Sequence, residues 1–159
     1  MAKRVSYLGI MTALACMMSY IELLIPLFPG IYGIKPGLAN IVVLSLLYRN
    51  CPKEALAVSI VRVIIVSALF TNMAVFFYSA AGAVSSLTIM WLAKKSGFFS
   101  RIMVSIFGGI FHNVAQLFVA FLLLEQPIIW KYLPVLLISG TVTGMLTGYL
   151  SEKIKIALK

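Results

Sequence analysis

The sequence predicts an all-α membrane protein, a single domain over residues 1–159 with six transmembrane helices and both termini in the cytoplasm. Hydrophobic residues make up 62% of the chain and charged residues only 11%, whereas soluble domains carry about 25% charged residues. These proportions exclude an ordinary water-soluble globular protein. The cations lie in short clusters between apolar runs, so the net charge of +9 indicates a polytopic protein in a lipid bilayer and no nucleic-acid-binding face.

Each predicted helix corresponds to one apolar run, because a transmembrane helix takes about 20 mostly apolar residues. The second run is shorter than a usual span, and the turn at 49–53 that separates it from the third run is brief. We therefore expect the second helix to be tilted or to begin earlier, within the 29–35 loop. The predicted helices cover residues 5–26, 36–48, 54–70, 72–93, 101–124 and 128–150.

The first helix follows Lys3 and Arg4 and resembles a signal peptide at its start, with Cys16 near a faint lipoprotein cleavage pattern. The apolar run continues to Pro26, beyond the about 7 to 15 residues of a signal-peptide core. We therefore expect it to be retained as a transmembrane helix. The second cysteine, Cys51, falls in a cytoplasmic turn where thiols stay reduced, so no disulfide is expected.

Lysine and arginine accumulate in the cytoplasmic loops of membrane proteins, and here they predict the orientation. With the N-terminus inside, only Lys35 and Lys131 fall outside, and Arg62 lies within the third helix. Both termini are then cytoplasmic in a multi-pass protein of a prokaryotic cytoplasmic membrane. The cations predicted to be cytoplasmic are Lys3, Arg4, Arg49, Lys53, Lys94, Lys95, Arg101, Lys153, Lys155 and Lys159.

The residue types argue against catalysis by this chain. It has no Asp, and its 4 Glu lie far apart, so it lacks the carboxylate cluster that holds Mg²⁺ in diphosphate chemistry. Its single His has no nearby Cys, which disfavours a zinc site. A phosphate-binding loop ending in Gly-Lys-Ser/Thr is absent, so any ATP hydrolysis belongs to another subunit. We expect a non-enzymatic protein without a metal or cofactor.

Polar side chains inside the predicted helices indicate a binding site, because the membrane makes such groups costly. Under the predicted topology they lie at or above the midplane, where a pocket that opens outward gathers them. A purely structural alternative is a buried Glu22–Arg62 ion pair with amides bonded across helices, or a Glu22 that is merely solvated. Lys35 in the outer loop is either a further contact or a surface anchor. The candidate ligand contacts are Glu22, Lys35, Asn40, Arg62, His112, Asn113 and Gln116.

Small residues give a second signal, since they allow helices to approach closely. Gly140, Gly144 and Gly148 form a double GxxxG pattern in the last helix, for which packing within the chain is the favoured interpretation. The first helix carries Gly9 and Ala13 at the same spacing, followed by Ala15. Packing within the chain and docking to another membrane subunit both remain open for this helix.

Several motifs resemble the Gx transporter family, which is usually labelled heptaprenyl diphosphate synthase component I. They run in order over nearly the whole chain, and the most specific are the Lys-x-Gly-Leu-Ala-Asn block at 35–40 and the Gly-x-x-His-Asn-x-x-Gln block at 109–116. That family resembles the substrate-binding S components of energy-coupling factor (ECF) transporters, which are six-helix proteins. The resemblance implies micronutrient capture from outside, a transmembrane coupling subunit and two ATPases. It also implies docking through Gly9, Ala13 and Ala15.

The sequence therefore favours an S-component-like subunit that binds a small micronutrient or precursor, such as a vitamin, a flavin or an isoprenoid- or quinone-related compound. A non-catalytic membrane accessory subunit of heptaprenyl diphosphate synthase, in isoprenoid or quinone biosynthesis, is the main alternative. A small independent channel or facilitator is a third.

Overall fold

The computed structural model describes residues 2–24 and 37–157, with side chains up to residue 154. Over these ranges the chain is all-helical, with six α-helices and one 3₁₀ helix and without any β-strand. The predictions for Pro26, the 29–35 loop, Lys35 and Pro36 concern residues outside the described ranges. The α-helices are α1 (Ala2–Leu24), α2 (Leu38–Tyr48), α3 (Pro52–Phe70), α4 (Met73–Ser96), α5 (Arg101–Leu124) and α6 (Leu133–Ala157), and the 3₁₀ helix is Pro127–Tyr132.

Local capping accounts for where these helices begin and end. α5 has the predicted bounds because the Ser100 side chain caps its start by accepting from the Met103 N–H over 3.2 Å. The third helix begins earlier than predicted, with Pro52 in its first turn, where the missing N–H costs nothing. α4 runs beyond the predicted end because Gly97 closes it in the left-handed conformation, at φ 74°.

The first and last helices of the chain differ more from their predicted bounds. α1 already begins at Ala2, and α6 extends to Ala157, each a few residues beyond the expected bounds. The predicted start of the sixth helix is instead the 3₁₀ helix Pro127–Tyr132. Within the described ranges, four segments are long and apolar enough to cross a membrane, and these properties indicate a multi-pass membrane protein. They are Ala2–Leu24, Met73–Ser96, Arg101–Leu124 and Pro127–Ile154.

The helices close into a ring in the order α1, α3, α4, α5, α6 and α2. The short α2 also packs against α3 and α4, so it fills the centre of the bundle. Its buried side chains join an apolar core with α1, α3, α4 and α5. The most deeply buried large members of this core are Val43, Leu44, Leu46, Leu47, Met90 and Val104.

The glycines of α6 pack within the chain, against α5. A Cβ atom on Gly144 would lie 2.7 Å from the Ile106 Cα, and one on Gly148 would lie 2.9 Å from the Ile102 Cα. These distances are too short for a side chain, so glycine lets the two backbones meet. Gly140 makes the same kind of contact, because its Cβ would lie 2.8 Å from the Gly109 carbonyl oxygen.

Cations from most of the helices gather at one end of the bundle, which we call the basic end. Arg4 of α1 forms an ion pair with Glu54 in the first turn of α3. Arg49, just after α2, donates from Nη1 to the Tyr7 hydroxyl of α1 over 3.0 Å. The start of α1, the start of α3 and the end of α2 therefore meet here.

The other three helices reach the basic end through two further cations. Lys94, in the last turn of α4, donates from Nζ to the Leu47 carbonyl over 2.6 Å. Arg101, the first residue of α5, donates from Nη1 to the Ser151 carbonyl of α6 over 2.9 Å and lies 4.1 Å from the centre of the Tyr48 ring. Successive helices consequently run in opposite directions through the bundle.

Candidate functional site

A polar cavity of about 60 Å³ lies in the half of the bundle away from the basic end. Its walls come from the end of α1, the start of α2, the second half of α3, the start of α4 and the middle of α5 and α6. All the predicted contact residues that the structure describes line it; Lys35 lies outside the described residues. The predicted residues in the wall are Glu22, Asn40, Arg62, His112, Asn113 and Gln116.

Glu22 joins the end of α1 to the start of α2. Its carboxylate oxygen Oε1 accepts a hydrogen bond from the Ala39 backbone N–H over 3.3 Å, in the first turn of α2. The side chain is only 7% exposed, so the interpretation of Glu22 as merely solvated is wrong. Gly37 permits this approach because it turns the chain into α2 at φ 73°, a conformation that favours glycine.

Arg62 is a buried cation in the cavity wall. It lies on α3, is 7% exposed, and donates from Nη1 to the Ser19 hydroxyl of α1 over 3.2 Å. Its buried Nε has no hydrogen-bond partner within the described ranges. A buried donor without an acceptor costs about 1–3 kcal/mol, so the guanidinium is held in place but incompletely satisfied.

The three candidate contacts on α5, His112, Asn113 and Gln116, have two different surroundings. Asn113 is 8% exposed and donates from Nδ2 to the Leu136 carbonyl over 2.8 Å, which ties α5 to α6. His112 and Gln116 instead lie against Gly82 of α4. A Cβ on Gly82 would be 2.9 Å from the His112 ring and 3.0 Å from the Gln116 Cγ, so glycine there makes space for both side chains.

Hydroxyl side chains complete the wall and were missed as contacts by reasoning from the sequence. Ser19 lies one helical turn before Glu22, on the same face, and this spacing is the signal that identifies it. Thr143 lies inside the glycine pattern of α6, which indicates helix packing and gives no signal of a place in the cavity wall. The hydroxyl residues that line the cavity are Ser19, Ser67, Thr71, Ser79 and Thr143.

The apolar core closes the cavity toward the basic end. The core residues of α2, α3 and α4 lie in the halves of these helices nearest the basic end. Examples are Leu47, Ala55 and Met90. Tight packing of this kind leaves no route for a polar solute. The cavity is therefore separated from the basic end in this conformation.

The small residues of α1 lie on different faces of the helix. Gly9 and Ala13 are on the outer surface, and a Cβ on Gly9 would meet nothing within 4 Å. Ala15 is fully buried in the core, so its side chain is not available to another subunit. In the parts of the chain that the structure describes, no three His, Cys, Asp or Glu residues come together as a possible metal site.

Comparison with known proteins gives one family match. The family model described as heptaprenyl diphosphate synthase component I matches residues 11–154, which is most of the chain and includes every residue in the cavity wall. A search of curated proteins finds no match. The family description names a component of a synthase and does not state which component is catalytic.

Proposed function

The chain belongs to the family of heptaprenyl diphosphate synthase component I, and on that premise we propose that it is a membrane subunit that binds a small solute and passes it across the membrane. It resembles the S components of ECF transporters in this respect. The ligand is a micronutrient or cofactor precursor with a polar group. The subunit itself performs no catalysis.

The observation that carries this proposal is the convergence of costly polar groups on one cavity. Arg62 and Glu22 are both buried, and they come from different helices. Buried opposite charges often add little stability, because their desolvation offsets their attraction. A protein that keeps both charges beside a cavity, with amides and hydroxyls around them, has the features of a binding site.

The charge distribution supports a cavity that faces outward. Cations accumulate on the cytoplasmic side of membrane proteins, which supports a cytoplasmic location for the basic end, the start of α1 and the end of α6. The cavity then lies in the outer half of six membrane-embedded helices. The 11 residues of α2 are shorter than the about 30 Å hydrocarbon core at 1.5 Å per residue, so α2 begins at the level of the cavity.

The size of the cavity restricts how a ligand binds. Its volume of about 60 Å³ is below the about 300–1,000 Å³ of typical ligand pockets. A vitamin, a flavin or a quinone-related compound therefore places only its polar head in this cavity, or enters when the outer ends of the helices separate. Release inside requires a second conformation, since the apolar core blocks the path toward the basic end.

Partner subunits supply the energy in this proposal. The exposed Gly9 and Ala13 of α1 offer a shallow face to a transmembrane coupling subunit, which is driven by a pair of ATPases. Ala13→Leu fills that face and is expected to abolish copurification of the coupling subunit while leaving the fold unchanged. Ala13→Ser is the matched control, because it keeps the residue small.

Native mass spectrometry of the gently solubilised protein tests the binding function. We expect a stoichiometric small molecule on the wild type, its loss in Arg62→Ala, and its retention in the control Lys95→Ala, which removes an exposed cation at the basic end. Gln116→Ala is the second variant, because it removes no buried charge and leaves folding intact. Retention of the molecule by both cavity variants contradicts the proposed site.

The family description favours a second candidate, a non-catalytic accessory subunit that holds a soluble prenyl-transfer enzyme at the membrane. The exposed cations of the basic end would then contact that enzyme. Lys95 is exposed, whereas Lys94 is engaged with Leu47 and Asn50. Lys95→Glu therefore tests this contact without disturbing α2. Loss of a copurifying prenyl-transfer subunit in Lys95→Glu, with no small molecule on the wild type, favours the accessory function.

A further inference from the structure

We infer that the cavity is selective for an anionic oxygen group, a carboxylate or a phosphate, which binds between Arg62 and the N-terminus of α2. This inference rests on the proposed function and narrows its ligand class. Two features of the cavity wall point to a negative group: a buried guanidinium with one N–H that lacks an acceptor among the described residues, and the start of a helix. Glu22 is a negative residue at the same place, so removal of its charge should change the selectivity for anions.

Arg62 supplies the first feature. Only 7% of this residue is exposed, and it lines the cavity. Nη1 donates to Ser19, while Nε has no partner among the described residues. Hydrogen bonds to an ionised acceptor are roughly twice as strong as neutral ones, and the planar guanidinium matches carboxylate and phosphate oxygens. An anionic group therefore satisfies Arg62 better than a neutral carbonyl does.

The N-terminus of α2 supplies the second feature. Gly37 and Asn40 line the cavity at the first turn of this 11-residue helix. The first N–H groups of a helix lack acceptors within the helix, and together they carry a partial positive charge. In α2 the Ala39 N–H donates to Glu22 and the Asn40 N–H donates to the Gly37 carbonyl over 2.9 Å, so the attraction for an anion comes from the helix dipole. The position of these N–H groups in the same wall as Arg62 adds positive potential to one side of the cavity.

Glu22 already shows that a carboxylate binds at this place. Its Oε1 accepts from the Ala39 N–H, the group that a ligand anion would also approach. We infer that Glu22 acts as a resident anion that the ligand's negative group displaces or joins. Removal of its charge by Glu22→Gln should therefore increase anion selectivity, and removal of the opposite charge by Arg62→Gln should abolish it.

Charged thiol reagents measure this selectivity without knowledge of the ligand. The probes are anionic 2-sulfonatoethyl methanethiosulfonate and cationic 2-(trimethylammonium)ethyl methanethiosulfonate, applied to the full-length protein with Cys16→Ser and Cys51→Ser. Ser79→Cys places the target thiol in the cavity wall. Gln126→Cys, an exposed position beyond the end of α5, is the control, and the ratio of anion to cation rate is normalised to it.

We expect a normalised ratio of about 10 or more, the scale on which charged clefts concentrate an ion. The normalised ratio should rise in Glu22→Gln. It should fall to about 1, the value that means no selectivity, in Arg62→Gln. Millimolar acetate or phosphate should slow the anionic reagent, and the more effective of the two identifies the chemical group. A ratio at or below that of the control, no change in Arg62→Gln, or no protection by either anion overturns the inference.

The same experiment separates the inference from the proposed function. A thiol at residue 79 that reacts with both reagents at the control ratio leaves an outward-facing cavity in place and overturns only the anion selectivity. A thiol at residue 79 that reacts with neither reagent, while the thiol at residue 126 reacts with both, overturns the outward-facing cavity and the inference together.

Discussion

Arg62 Nη1 of α3 donates a hydrogen bond to the Ser19 hydroxyl of α1 over 3.2 Å. Both residues are buried and both line the cavity. The bond joins two neighbouring helices of the ring, α1 and α3. One donor of the buried guanidinium is thus held by a residue that carries no charge.

Replacement of Ser19 by Ala should destabilise the protein, because it leaves a second donor of Arg62 without its acceptor. We expect the free energy of unfolding to fall by about 1–3 kcal/mol, the cost of an unsatisfied buried donor. Denaturation in micelles measures this change. Ser6→Ala is the control, since Ser6 is exposed and bonds only to the Ala2 carbonyl of its own helix. Equal stability of the two variants would show that the Arg62–Ser19 bond contributes nothing.

Gly82→Ala should make the cavity smaller from the side of α4. The added methyl group would lie 2.9 Å from the His112 ring, so the ring must move toward the cavity. Labelling of the Ser79→Cys thiol by the sulfonate reagent should then slow. The double variant Gly82→Ala/His112→Ala should restore the rate, because it removes the displaced ring. A rate that is unchanged in Gly82→Ala excludes this role for the glycine.

Gly144→Ala should separate α5 from α6. The new Cβ would lie 2.7 Å from the Ile106 Cα, and backbone cannot yield as a flexible side chain does, so we expect a loss of about 1–3 kcal/mol in stability. Gly9→Ala is the matched control, because nothing lies within 4 Å of its Cβ and alanine favours the helix by up to about 1 kcal/mol. Thermal unfolding of both variants should shift in opposite directions; a shift in the same direction contradicts the packing assignment.

Cys51 reports the orientation of the basic end. In a Cys16→Ser background, a membrane-impermeant maleimide should label Cys51 in inverted vesicles and leave it unlabelled in intact cells. Partial burial, and then the neighbouring Glu54, raises the pKa of the Cys51 thiol above its ordinary value. Because the thiolate is the reactive form, labelling should be slow at about pH 7 and accelerate toward about pH 9. Labelling of Cys51 from outside would contradict the proposed topology.

The helices were largely predictable because their ends carry local signals. Arg101–Leu124 matches the prediction, and the ends of α2 and α3 at Tyr48 and Phe70 match as well. The 3₁₀ helix at Pro127–Tyr132 was not predicted, since an apolar run of that composition reads equally well as α-helix. Tight turns of this kind depend on hydrogen bonds between near neighbours, which hydropathy does not record.

The site was predictable to the extent that its residues are polar. Six of the seven predicted contacts fall in the described ranges and line one cavity, because charged and amide groups stand out against apolar helices; their role in binding remains a prediction. The burial of Ala15 was not predictable. Both the lipid-facing and the core-facing sides of α1 are apolar, so hydropathy does not separate them. Glu22 is buried because α2 packs against α1. The position of Glu22 along α1 gives no indication of that contact.

A crystal structure of the protein purified with its own small molecule shows whether the cavity is the binding site. We expect electron density for that molecule in the cavity, with an acceptor oxygen within hydrogen-bond distance of the Arg62 guanidinium and with Gln116 in contact. A molecule bound elsewhere, or a cavity closed by a direct Arg62–Glu22 ion pair in the ligand-carrying protein, would contradict this expectation.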